Sequence, residues 1–199
     1  MVVTDRRRGG TSLSEVARRA RAAGAQLLQV REKDLTDGAL YAAVAAVVDA
    51  LAGGPRTLSV FVNGRPDVAE AAGADGVQLP EDGLPVAEVR RAFPRLKVGA
   101  SCHSREAASR AAAEGADHVV FGPVFATPGK EARAAGLPAL AQIAAHSPVP
   151  VFAIGGVTPE EAAGVRDAGA AGVAAIRPFL AGDVAQVVSA YVRAWTRGR

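Results

Sequence analysis

Gln29, Arg31 and Lys33 occupy every second position of Gln29-Val30-Arg31-Glu32-Lys33, a spacing that in an extended chain puts all three side chains on one side. Two cations and an amide gathered in this way can hold an oxyanion, the arginine through a planar fork and the lysine as a mobile point charge. The plainer alternative is a salt-bridged strand end in which Glu32 neutralises a neighbour. Asn63-Gly64-Arg65 combines a short amide, a glycine that permits close backbone approach and a further cation, although the three residues also read as a turn. Ser101-Cys102-His103-Ser104 offers a hydroxyl and an imidazole. His103 could act as an acid or base near neutral pH, while Ser104 fits equally well as the cap of a helix that starts near Arg105.

Two further segments favour phosphate. Ile154-Gly155-Gly156-Val157-Thr158-Pro159 runs a glycine pair into an expected helix start at Pro159, and Ile176-Arg177-Pro178 adds a cation. Backbone N–H groups bared by glycine approach phosphate oxygens closely, and a helix N-terminus adds favourable polarity. The stretch from Gly122 to Lys130, which includes Thr127, is rich in small residues and reads as a lid carrying anion-binding groups, or simply as a long loop. His118 and His146 fall at the wrong ends of their elements for a shared site and are assigned no chemistry. The sequence shows no nucleophile triad and no metal cluster, since His103 lacks a second histidine at ligand spacing.

Something must bring these scattered segments together. Short apolar runs recur at 2–4, 27–30, 58–62, 76–79, 97–99, 118–121, 151–154 and 172–176, and nearly continuous apolar runs suit parallel strands covered on both faces. Ala-rich amphipathic stretches such as 15–23, 39–51, 105–114 and 159–168 lie between them. Gly24-Ala25, Gly73-Ala74, Gly115-Ala116 and Gly169-Ala170 close four of the helical stretches, where glycine supplies a left-handed ending. Eight βα units of about 25 residues predict a TIM (β/α)₈ barrel with eight parallel strands, and residues 1–199 as a single domain. A doubly wound open sheet is the rival. In a barrel the C-terminal strand ends share one mouth, and the loops after the seventh and eighth strands form the usual phosphate site.

Composition narrows the function. The chain has 199 residues, 49% hydrophobic and 22% charged, which is enough for a real core with a solvated surface. Its net charge of +3 comes largely from arginines scattered along helical stretches, and aromatic residues make up only 5%. Clustered cations with aromatic stacking partners are thus missing, which argues against nucleic acid as a partner. The one cysteine, Cys102, excludes an internal disulfide and a cysteine-built metal site. No apolar run approaches membrane-spanning length, and the strand-like opening Val2-Val3-Thr4-Asp5 predicts no leader, no membrane partner and a cytoplasmic location by default.

Taken together, Gln29-Val30-Arg31-Glu32-Lys33, Asn63-Gly64-Arg65-Pro66-Asp67-Val68-Ala69, Gly73-Ala74-Asp75-Gly76-Val77-Gln78-Leu79, Phe121-Gly122-Pro123-Val124-Phe125-Ala126-Thr127 with Lys130, and Ala153-Ile154-Gly155-Gly156-Val157 resemble the thiamine phosphate synthase/TenI superfamily over almost the whole chain. The resemblance implies a barrel that binds a small-molecule thiazole phosphate. Synthases of this superfamily couple a pyrimidine diphosphate to a thiazole phosphate with release of diphosphate, using magnesium held by two aspartates. Gly64 and Gly83 stand at those two positions here, with Glu81 and Asp82 nearby. Their absence directs the expectation to the TenI-type branch: a metal-independent thiazole tautomerase, an isomerase that aromatises a thiazole phosphate carboxylate by proton shuttling and needs no cofactor. A synthase that does use magnesium, and a non-catalytic or regulatory thiazole-phosphate binder, remain as alternatives.

By the same resemblance Gly155, Gly156, Ile176 and Arg177 hold phosphate, while Gln29, Arg31, Asn63, Ser101, Thr127 and Lys130 bind the rest of the substrate. Pro123 stands where a tautomerase can carry its catalytic histidine, so the shuttle is assigned to His103, with Lys33 second. The oligomeric state, homo-oligomer included, is left open.

Overall fold

The apolar runs form strands, and the alanine-rich stretches between them coil into helices. The computed structural model describes residues 1–55, 57–127, 134–180 and 182–197, the side chains of Arg8 and Leu180 excepted. The strands are β1 (Val2–Val3), β2 (Leu27–Val30), β3 (Ser59–Asn63), β4 (Gly76–Leu79), β5 (Lys97–Cys102), β6 (His118–Phe121), β7 (Val151–Ile154) and β8 (Gly172–Ala174). Between and after them lie α1 (Leu13–Ala22), α2 (Asp37–Ala52), α3 (Pro66–Ala71), α4 (Val86–Ala92), α5 (Arg105–Ala113), α6 (Gly136–His146), α7 (Ala162–Asp167), α8 (Arg177–Leu180) and α9 (Val184–Thr196), with one 3₁₀ turn at Arg6–Arg8.

The strands pair in sequence order and in parallel, from β1 to β8. A bridge between Val2 and Ala175 returns the sheet to its start. It is flanked by hydrogen bonds from the Val3 N–H to the Ala175 carbonyl (3.0 Å) and from the Ala175 N–H to the Met1 carbonyl (3.2 Å). This is the TIM-barrel arrangement; a doubly wound sheet would reverse its strand order at a switch point.

The four Gly-Ala pairs end their helices alike. Gly24, Gly73, Gly115 and Gly169 have φ of +91°, +71°, +95° and +89°. The alanine that follows each sends its N–H back five residues, as from Ala25 to the Ala20 carbonyl (2.9 Å) and from Ala116 to the Ala111 carbonyl (3.0 Å). These bonds satisfy carbonyls that the last helical turn leaves open. In two of the units the next residue ties down a strand start: Asp75 accepts from the Val60 N–H (2.8 Å) and Asp117 from the Val98 N–H (2.6 Å).

Three boundaries depart from expectation. β5 runs on to Cys102, which places Ser101 inside the ladder beside Val120. β8 stops at Ala174. The helix expected from Pro159 begins only at Ala162, because the chain first makes tight turns in which Glu161 and Ala162 donate to the Thr158 and Pro159 carbonyls (both 3.2 Å). Glu161 also turns its carboxylate back to the Thr158 N–H (2.9 Å).

One layer of the barrel interior is polar. Gln78, Gly99 and His118 are consecutive partners across β4, β5 and β6. A methyl group on Gly99 would lie 2.2 Å from Gln78 Oε1 and 2.4 Å from His118 Nε2, so the bare glycine lets these two side chains meet across β5. His118 Nε2–H donates to Gln78 Oε1 (3.0 Å), and its ring sits edge-on between Phe61 and Phe152 at 5.2 and 5.4 Å. Burial lowers the imidazole from its ordinary 6.5 to about 4, so it is neutral. Among the described residues no buried side-chain nitrogen or oxygen lacks a hydrogen-bond partner.

Candidate active site

Alternation along the strands carries the polar layer upward to the C-terminal mouth on the β2 to β5 side. Gln29 Nε2 donates to Asn63 Oδ1 (2.9 Å), joining β2 to β3. Gln78 Nε2 donates to Ser101 Oγ (3.1 Å), joining β4 to β5. The expected residues Gln29, Asn63 and Ser101 are therefore brought to one wall. The Ser101 hydroxyl accepts from Gln78 and keeps its own hydrogen for a ligand. Gln78 connects this wall to buried His118, a role hidden in the sequence because its partners lie 23 and 40 residues away.

Arg31 stands half-buried at the end of β2 and belongs to no salt bridge among the described residues. The expected alternative, a salt-bridged strand end in which Glu32 neutralises a neighbour, does not extend to Arg31, and the Glu32 ion pair is with Arg6 (3.9 Å). The Glu32 side chain is fully buried and turns toward β1, where its oxygens accept from Thr4 Oγ1 (2.5 Å) and the Arg6 N–H (2.9 Å). Lys33 follows, exposed. Arg65, the other candidate cation, is spent on Asp37 and Asp67, and this pairing holds its guanidinium above the ordinary range.

The glycine pair after β7 has φ of +92° at Gly155 and +67° at Gly156. A methyl group on Gly155 would lie 2.5 Å from Pro123 Cβ, and one on Gly156 would lie 2.5 Å from the Ala126 carbonyl. The glycines thus allow the chain after β6 to close over them, which is a packing reason additional to ligand approach. That chain is bonded down: the Val124 and Phe125 N–H groups donate to the Ile154 and Gly155 carbonyls (both 2.9 Å). The expected lid is therefore, up to Thr127, a docked segment. Thr127 itself is half-buried, its hydroxyl 3.4 Å from the Phe125 carbonyl. Lys130 lies outside the described residues. Ile176 is half-buried and Arg177 exposed, the latter at the start of α8 immediately beyond β8.

Both loops expected to hold phosphate lean on Tyr191 of α9. Its hydroxyl donates to the Val157 carbonyl (2.7 Å), just beyond the glycine pair, and its ring packs on Phe179 of α8 at 5.7 Å. Burial raises this phenol to about 12. Nothing in the local sequence marks Tyr191 for this, since it reads as one more apolar position on an amphipathic helix.

His103 bonds outward rather than to a reacting centre. Its Nδ1–H donates to the Gly122 carbonyl (2.5 Å) and its main-chain N–H to Glu81 Oε2 (2.6 Å). It fastens the end of β5 to the loops after β4 and β6.

Comparison with known proteins decides the family. The family model described as Thiamine monophosphate synthase matches residues 1–179. This chain belongs to that family. The thiamine-phosphate synthase of Anaeromyxobacter dehalogenans is 44% identical to it over 189 residues, 94% of this chain and 84% of that protein. The thiamine-phosphate synthase of Methanoculleus marisnigri is 45% identical over 188 residues, 92% and 88% of the two chains. Among solved structures, thiamine phosphate pyrophosphorylase from Pyrococcus furiosus superposes with a TM-score of 0.88 at 31% identity, covering 98% of this chain and 94% of the other.

These likenesses overturn the expected thiazole tautomerase and its isomerase chemistry. That branch was inferred from two missing carboxylates, a local difference, whereas the identity to synthases extends over the whole barrel. The proton shuttle assigned to His103, or to Lys33, loses its reaction with it, and His103 is held in a structural contact.

The two glycines still bear on magnesium, which this thiamine monophosphate synthase family is taken to use. Gly64 has φ of +66° and its N–H is bonded to the Gln78 carbonyl (2.9 Å). A methyl group on Gly83 would lie 2.9 Å from the Pro80 ring. Glu81, next in the same loop, is committed to the His103 N–H. Among the described residues no group of three His, Cys, Asp or Glu side chains converges as metal ligands would. The residues at these positions do not fit a magnesium site built on two carboxylates.

Proposed function

We propose that this protein is a thiamine-phosphate synthase that couples a pyrimidine diphosphate to a thiazole phosphate, and that residues 1–199 act as one barrel domain. The observation that carries the reading is 44% identity over 94% of the chain to a protein of that name. Bond formation between the two rings breaks a carbon–oxygen bond and places negative charge on departing diphosphate. Cations preset at that point stabilise the charge as it develops. Arg31, which has no carboxylate partner among the described residues, and exposed Lys33 supply them. Gln29, Asn63 and Ser101 present amide and hydroxyl groups to the pyrimidine. Gly155, Gly156, Ile176 and Arg177 hold the thiazole phosphate, with Thr127 beside it. The partners are small molecules.

Incubation with both substrates and magnesium, followed by assays of released diphosphate and of thiamine phosphate, tests the proposal. Equal amounts of the two products are expected. Tight binding of thiazole phosphate with no diphosphate release would make the protein a binder and end the synthase reading.

A further inference from the structure

We propose that Glu32 is a positioning residue that fixes Arg31 through the hydroxyl of Thr4. In a regular parallel ladder the Thr4 N–H donates to the Gln29 carbonyl and the Arg31 N–H donates to the Thr4 carbonyl. The first bond is present at 3.0 Å. The second is replaced: the Arg31 N–H donates to Thr4 Oγ1 at 3.0 Å. A threonine hydroxyl can accept there only if its own hydrogen points elsewhere, and it points to Glu32 Oε1 at 2.5 Å. The other Glu32 oxygen holds the Arg6 N–H at 2.9 Å, and the Arg6 guanidinium stands 3.9 Å away.

Thr4 is 1% exposed and the Glu32 side chain 0%, so water does not compete with this chain of bonds. The arrangement has two effects. It sets the backbone of Arg31 where the regular ladder ends, and it engages the carboxylate adjacent in sequence with Thr4 and Arg6. The guanidinium is left for an anionic ligand, so the functional consequence rests on the synthase reading, whereas the bonding itself does not.

Two measurements test it. Hydrogen exchange at the Arg31 amide needs no ligand: in Thr4→Val and Glu32→Gln it is expected to quicken about tenfold or more, with the Leu28 amide unchanged and Thr4→Ser restoring protection. Binding of inorganic diphosphate by calorimetry is expected to weaken about tenfold in Thr4→Val, and the same substitution is expected to have no further effect in an Arg31→Gln background. Unchanged exchange at Arg31 in both variants, or losses that add in the double variant, would overturn the proposal. Should the wild type fail to bind diphosphate, the synthase reading is what fails, and the exchange arm still decides whether Glu32 holds Arg31.

Discussion

At the scale of single residues, the barrel keeps its charges apart by giving most of them partners. Arg65 is paired with two aspartates, Glu81 accepts from a main-chain N–H and Glu32 accepts from Thr4 and Arg6, whereas Arg31 at the mouth has no salt bridge among the described residues. Buried His118 is sensitive to acid. Its pKa falls from 6.5 to about 4 on folding, so between these values the unfolded chain binds a proton that the folded chain does not. Stability therefore drops as pH falls through this window and levels off below it, a loss of about 3 kcal/mol from this group. The imidazole signal of His118, followed by NMR, should titrate with a midpoint near 4. A midpoint near 6.5 would mean that the ring is not buried as described. His118 was legible as a histidine outside the mouth, but its bond to Gln78 was not, because the glycine that opens the path lies on a third strand.

At the scale of elements, apolar runs and Gly-Ala endings made the strand and helix order readable, since both arise from contacts within a few residues. The rule that the C-terminal strand ends of a barrel share one mouth likewise gathered Gln29, Asn63 and Ser101. What local pattern misses is support from distant elements. The turns before α7 depend on Glu161 folding back, and the loops proposed to hold phosphate depend on Tyr191 from α9, 34 residues beyond the carbonyl it bonds. Replacing Tyr191 with Phe leaves the Val157 carbonyl without its buried donor and should cost about 1–2 kcal/mol in denaturant unfolding. The same change should weaken binding of inorganic phosphate while leaving diphosphate binding at Arg31 near its wild-type value. Equal weakening of both would show that the effect spreads through the whole barrel and not through the loop.

At the scale of the whole molecule, closure is uneven. β4 and β5 pair over four residues, whereas β1 has two residues and meets Ala175, just past the end of β8, through a single bridge. This seam could not be read from sequence, where β1 looked like any other apolar run, because pairing length is set by how the strands stagger around the closed sheet. Amide exchange should show it: the Val3 and Ala175 amides are expected to exchange about tenfold or more faster than those of Val98 and Ala100 in β5. Uniform protection around the barrel would contradict this.

The thin seam also gives the proposed ligands a mechanical office. Phosphate at Gly155, Gly156 and Arg177 would sit on one bank of β1, and diphosphate at Arg31 on the other. A substrate pair spanning them would act as the clasp of a bracelet, holding the seam against opening.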